Sequence, residues 1–211
     1  MRMTLLVEKL WIEKKEFVKS DELKEYCMAM KMDYGTVVRY LAARRYLVRI
    51  FRGIFYVRSP EERVLGKTKY NHLELVARGL GLKGVRNWYF GLNSALKLNN
   101  MTHEHFAVEE VVSDSLFRAN PVGIAGYKFR FVKLSKPLVV FGITEKGALR
   151  FSDPEKTILD LIYLARMNGV PAKKIIGDLS PWTEGLSKDR IVGYVKKYPK
   201  TVAAIAQSVI S

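Results

Sequence analysis

The chain holds a single cysteine, Cys27, so no internal disulfide can form and a disulfide-stapled secreted fold is excluded. Its apolar residues never run long enough to cross a bilayer. The opening stretch MRMTLLVEKLWIEKK acquires Glu8 and Lys9 where a signal peptide needs an unbroken apolar centre. These absences predict a cytoplasmic protein with no membrane partner. No GxxxxGKS or GxxxxGKT loop occurs, and no strand feeds a GxGxxG turn, so neither phosphate-cradling loop is present. His103 and His105 would share a strand face, but no third ligand for a metal lies near them in sequence. Glu109, Glu110 and Asp114 read as a solvated edge and turn, without the carboxylate spacing that magnesium-dependent nucleotidyl transfer needs. Ser94 has no evident histidine base. The reading is therefore a protein without catalysis, metal or cofactor. Glutamine occurs once, at Gln207, beside abundant Lys and Arg, a bias seen in hyperthermophile proteins.

What the chain does have is positive charge. Its 36 basic and 21 acidic residues leave a net charge of +15, a surplus that favours nucleic acid or an anionic membrane face. Hydrophobic residues make up 48% of the 211, enough for a packed core in one large domain or two small ones.

The surplus is most concentrated over residues 33 to 58, DYGTVVRYLAARRYLVRIFRGIFYVR. Six arginines fall there, and no carboxylate follows Asp33. Asp33 is placed to cap a helix whose Val37 and Leu41 pack inward, with Val38 beside them. That leaves Tyr34, Thr36, Arg39 and Tyr40 on the outer, N-terminal half. Leu47 to Ile50 and Ile54 to Val57 then read as two short strands joined at Arg52-Gly53, where glycine supplies the positive φ of a two-residue turn. Upstream, residues 3 to 15 form an amphipathic helix. Ser20 opens a second helix with its hydroxyl as cap, and Leu23, Tyr26 and Cys27 form its buried face. Three helices and a basic hairpin are the plan of a winged helix-turn-helix. In that geometry the start of the third helix enters the major groove. Arg39 is the first choice for base readout, with Tyr34 and Thr36 touching bases or phosphates. Arg52 projects at the wing tip, flanked by Arg49 and Arg58, and Arg44 and Arg45 at the helix end are further phosphate candidates.

Ser59-Pro60-Glu61-Glu62 marks a boundary. The expected fold is α+β: a winged helix-turn-helix over 1–60, then a mixed α/β domain over 61–211 with a mostly antiparallel sheet and a helical tail. Helices are expected over 69–80 and 87–98, and strands over 105–112, 127–132 and 148–151. The apolar run 138–143 reads as a central strand. Asp153-Pro154-Glu155 starts a long helix ended by Asn168-Gly169, and Pro171 starts a shorter one.

Three stretches in order resemble the AbiEi-type antitoxins, regulators of abortive-infection toxin–antitoxin loci. LAARRYLVRIFRGIFYV (41–57) is similar to the family's helix end and "RG.Y" wing through Arg49, Arg52, Gly53 and Tyr56. YFGLNSALKLNNM (89–101) looks like its "S-A-L…G" helix through Ser94, Ala95 and Leu96, with Asn100 where the family often has glycine. FSDPEKTILDLIY (151–163) is similar to its "PEKTLLDL" helix through Glu155, Lys156, Thr157 and Asp160. The likeness extends to about residue 180; residues 180 to 211 match nothing in it. It implies a repressor that binds inverted repeats upstream of its own operon, on double-stranded operator DNA and as a homodimer. It also implies a nucleotidyltransferase-like toxin as functional partner, countered by a non-catalytic second domain in antiviral defence. The alternatives are a solitary regulator without a toxin, a nucleic-acid- or nucleotide-modifying enzyme docked by its winged helix, and a wing that docks protein.

Overall fold

A computed structural model of the chain describes residues 2 to 210. Its contacts divide it into two units. The first runs to Gly84 and takes in Gly123–Tyr127; the second holds Val85–Val122 and the chain from Lys128 onward.

The first unit begins with helix α1 (Arg2–Ile12), strand β1 (Phe17–Lys19), helices α2 (Ser20–Ala29) and α3 (Tyr34–Ala43), and the hairpin of β2 (Leu47–Phe51) and β3 (Ile54–Val57). The sheet order is β1-β3-β2, antiparallel throughout. The amphipathic spacing holds: Leu6, Val7 and Leu10 of α1, Leu23 and Cys27 of α2, and Val37 and Leu41 of α3 meet in one core. Burial also pushes the Cys27 thiol up, which makes it inert packing. Ser20 does not cap α2. The cap position is Lys19, and the Ser20 N–H instead donates to the Gly53 carbonyl at 2.9 Å, which ties the hairpin turn to the start of α2.

The boundary at Pro60 is the start of a short helix rather than the end of the unit. Helices α4 (Pro60–Leu65) and α5 (His72–Leu82) follow, each opened by a capping box, from Ser59 with Glu62 and from Asn71 with Glu74. Helix α5 packs on β2 and β3. The approach is close because Gly79 faces the hairpin; a Cβ there would stand 2.6 Å from Ile50.

The chain continues with β4 (Trp88–Phe90), α6 (Leu92–Leu98), β5 (Val108–Ser113), β6 (Val122–Ile124), β7 (Tyr127–Lys133), α7 (Lys136–Val139), β8 (Ile143–Lys146), β9 (Leu149–Ser152), α8 (Pro154–Met167), α9 (Ala172–Leu179), α10 (Lys188–Val195) and α11 (Lys200–Ile210), which fall in the second unit except at Gly123–Tyr127. Two of these strands, β6 and β7, begin or end inside the 123–127 segment. The sheet order is β6-β7-β5-β4-β9-β8. It is mixed: β4–β9 and β5–β7 run parallel, while β4–β5 and β8–β9 run antiparallel.

Two expected elements are different. Residues 87–98 are a strand and a helix, broken at Gly91, whose absent Cβ would stand 2.7 Å from Val112. The run 138–143 is not a central strand. Lys136-Pro137 starts a helical turn, Gly142 at φ +61 ends the segment, and Ile143 begins β8 at the sheet edge. Asp153 caps α8 as expected, accepting from the Lys156 N–H at 2.8 Å. The tail is part of this unit's core: Ile191, Tyr198, Val202, Ile205 and Ala206 are buried with Ile158, Leu159 and Ile162 of α8.

Candidate nucleic-acid interface

Helix α3 starts where Asp33 Oδ1 accepts from the Thr36 N–H at 2.7 Å. The side-chain and backbone hydrogen bonds of Thr36 hold the Asp33 carboxyl below its ordinary range. Thr36 and Arg39 are exposed, one turn apart. The Arg39 guanidinium folds back along the helix, with Nε and Nη2 each 3.4 Å from the Gly35 carbonyl and Thr36 Oγ1. Contacts that long release easily to a ligand. Tyr34 and Tyr40 are half-buried against the core.

Helix α3 ends with paired reverse bonds, Tyr46 N–H to the Leu41 carbonyl at 2.8 Å and Arg45 N–H to the Ala42 carbonyl at 3.0 Å. This closing motif places one residue in the left-handed region, where glycine is the usual occupant. Here it is Arg45, at φ +60. Arg45→Gly is expected to stabilise the fold by about 1 kcal/mol, because the left-handed penalty of a side chain disappears, while weakening nucleic-acid binding. Urea melts beside a binding titration check both signs; a variant that is stabilised and binds as before removes Arg45 from the interface.

The hairpin turns at Arg52-Gly53 with Gly53 at φ +78. Arg49 and Arg52 are exposed on it, and the Arg49 guanidinium lies 5.6 Å from the Phe55 ring. Arg44 stands 5.8 Å from the Tyr40 ring. Among the described residues, none of Arg39, Arg44, Arg45, Arg49, Arg52 and Arg58 forms a salt bridge, although cation–carboxylate pairs form elsewhere, as between Lys15 and Glu22 and between Lys69 and Glu16. Their charge is uncompensated and, except at Arg58, exposed.

Arg58 does not flank the hairpin turn. It follows β3 at the far end from the turn, is half-buried, and its N–H donates to the Tyr46 carbonyl at 2.9 Å. Lys19 takes a place beside the turn that the sequence reading did not assign. It is exposed on β1, paired in register with Ile54. The only signal for it was the apolar pair Phe17-Val18, too short to show an alternation.

The second unit's ionisable residues are arranged differently. Glu109 and Glu110 are buried, not a solvated edge. Ser94 Oγ donates to Glu109 Oε2 at 2.5 Å and accepts from the Glu110 N–H at 2.8 Å; Lys97 pairs with Glu109 at 2.7 Å, and Arg130 with Glu110. Burial raises the Glu110 carboxyl's pKa, opposed by Arg130. Lys156 and Asp160 are buried together at 3.1 Å. These groups face one another, and among the described residues no three His, Cys, Asp or Glu side chains gather to hold a metal.

Among the described residues, no helix is long and apolar enough to cross a membrane. No family model matches the chain, and no curated protein does. Among solved structures, the crystal structure of the Rv2827c protein from Mycobacterium tuberculosis is similar, with a TM-score of 0.65 and 14% identity, covering 99% of this chain and 76% of that one. Likeness at that identity is one of fold, and it places this chain in the α+β class.

Proposed function

We propose that this chain is a cytoplasmic, non-catalytic DNA-binding transcription regulator whose first unit is a winged helix-turn-helix. The observation that carries the reading is the set of exposed, salt-bridge-free arginines on α3, in the turn after it and on the β2–β3 hairpin: Arg39, Arg44, Arg45, Arg49 and Arg52. A helix start with Thr36 and Arg39 outward suits base edges, and the hairpin arginines suit phosphate. Arg58 leaves this set.

The test is a salt titration of binding to DNA from upstream of the chain's own reading frame. Four phosphate contacts per chain, from Arg44, Arg45, Arg49 and Arg52, predict a slope of log K against log salt of about −3.6. A slope near zero, or no binding at low salt, rejects the reading in favour of a wing that docks protein.

On the resemblance to AbiEi-type antitoxins, the regulator is an autorepressor on inverted repeats, bound as a homodimer, and the second unit counters a nucleotidyltransferase-like toxin. The residues that carry that likeness, Ser94, Lys156, Thr157 and Asp160, are buried in the second unit. They thus support it as a folded body rather than as a site open to substrate. Co-purification with a nucleotidyltransferase-like protein encoded beside it tests the antitoxin role; a neighbourhood without such a gene leaves a solitary regulator. Turnover of labelled nucleotide with magnesium, lost on Glu109 and Glu110 substitution, would instead make it an enzyme.

A further inference from the structure

One cationic cavity is not used by the DNA reading. Its lining comes from the end of β3, the segment joining α4 to α5, the start of α5 and the 125–127 turn, all within the first unit, and its volume is 540 Å³. Three basic side chains line it, Arg58, Lys67 and Lys69, against one carboxylate, Glu74. Glu74 is already committed, since its Oε2 accepts from the Asn71 N–H at 2.9 Å in the capping box of α5. Lys69 is paired with Glu16 at 2.5 Å. Arg58 and Lys67 form no salt bridge, and the Arg58 Nε, shielded from solvent, has no hydrogen-bond partner among the described residues. With Glu74 and the Lys69–Glu16 pair already committed, Arg58 and Lys67 leave the cavity a surplus of positive charge that an anion offsets. On one wall the Tyr127 ring lies flat on His72, centroids 3.7 Å apart at 8°.

We propose that this cavity binds a small molecule carrying a terminal phosphate. The planar fork of Arg58 matches phosphate oxygens, and Lys67 adds a point charge without competing for the same geometry. A bare phosphate leaves most of the space empty. The volume lies within the roughly 300–1,000 Å³ of small-ligand sites, so an organic group fits against the Tyr127 wall. The assignment does not depend on whether the first unit binds DNA.

The experiment is calorimetric titration of the full chain, at fixed ionic strength, with inorganic phosphate and with adenosine monophosphate. Both are expected to bind, the nucleotide more tightly. Arg58→Gln is expected to weaken both about tenfold or more, as for loss of a charged hydrogen bond, and Lys67→Gln to weaken both by less. Tyr127→Ala is expected to weaken the nucleotide alone. Lys67 is exposed, so its variant keeps the test open if Arg58→Gln fails to fold. Absence of binding by either probe, or wild-type affinity in both charge variants, overturns the proposal. So does loss of DNA affinity in Arg58→Gln when the parent binds neither probe, which puts Arg58 on a nucleic-acid backbone.

Discussion

Replacing Lys156 or Asp160 alone is expected to destabilise the chain by about 3–5 kcal/mol, because breaking a buried ion pair strands the remaining charge. Both side chains are completely buried. The three ammonium donors of Lys156 are all used, by the Leu138 carbonyl at 2.7 Å, Asp160 Oδ1 at 3.1 Å and Tyr198 Oη at 3.2 Å. Asp160 also accepts from Tyr89 at 2.6 Å and from Tyr198 at 2.7 Å. The Phe141 and Tyr89 rings stand 4.4 and 4.8 Å from the Lys156 nitrogen, close enough for cation–π attraction. Lys156→Met and Asp160→Leu should each lower Tm by on the order of 10 °C for a chain of this size. The double variant should recover part of that, since both charges leave together. Recovery stays incomplete, because the Tyr89 and Tyr198 hydroxyls lose their acceptor. Burial pushes the Lys156 ammonium below its ordinary pKa, against the pull of Asp160. The unfolded chain therefore binds more protons between that lowered value and about 10.4, so this residue's contribution to stability rises with pH across the window. Thermal melts of the four proteins settle the matter: single variants within about 1 kcal/mol of the parent would show that the pair does not hold the second unit together.

The parts of this fold written in local chemistry were legible. Asp33 and Asp153 each precede a helix and each accept the expected backbone N–H, and Gly53 takes the positive φ of the hairpin turn. Signals that depend on distant partners were not. Strand β1 has three residues and is defined by pairing with β3 some 37 positions on. Gly91, between the strand and the helix of 87–98, sits where a Cβ would meet Val112, which sequence proximity cannot reveal. Glu109 and Glu110 looked solvated because Lys97 and Arg130, which neutralise them, come from α6 and β7. The same limit separates the site arginines. Arg39 faces outward because α3 has one apolar stripe, and the parity of that stripe is visible. Strand β3 is buried at all four positions, so alternation gave it no outer face, and the placement of Arg58 near the wing tip had no parity to correct it.

Reversing two wing charges, Arg49→Glu with Arg52→Glu, is expected to abolish DNA binding at low salt while leaving the thermal melt unchanged. Both side chains are exposed and neither is held by a carboxylate, so the folded state loses little when they change. The complex loses two phosphate contacts and gains two repulsions. Losing two charge-assisted hydrogen bonds alone costs about a hundredfold in affinity or more, and the salt slope should flatten by about 1.8. Arg39→Ala should behave otherwise. Its loss falls on the preferred sequence, by about ten- to a hundredfold, and leaves non-specific binding nearly intact, because base contacts discriminate and phosphate contacts do not. Fluorescence-anisotropy titrations of the upstream fragment and of a scrambled fragment, at several salt concentrations, separate the two patterns. Wild-type affinity in the doubly reversed variant would take the wing off the DNA. An Arg39→Ala variant that weakens both fragments equally would move Arg39 from the groove to the backbone.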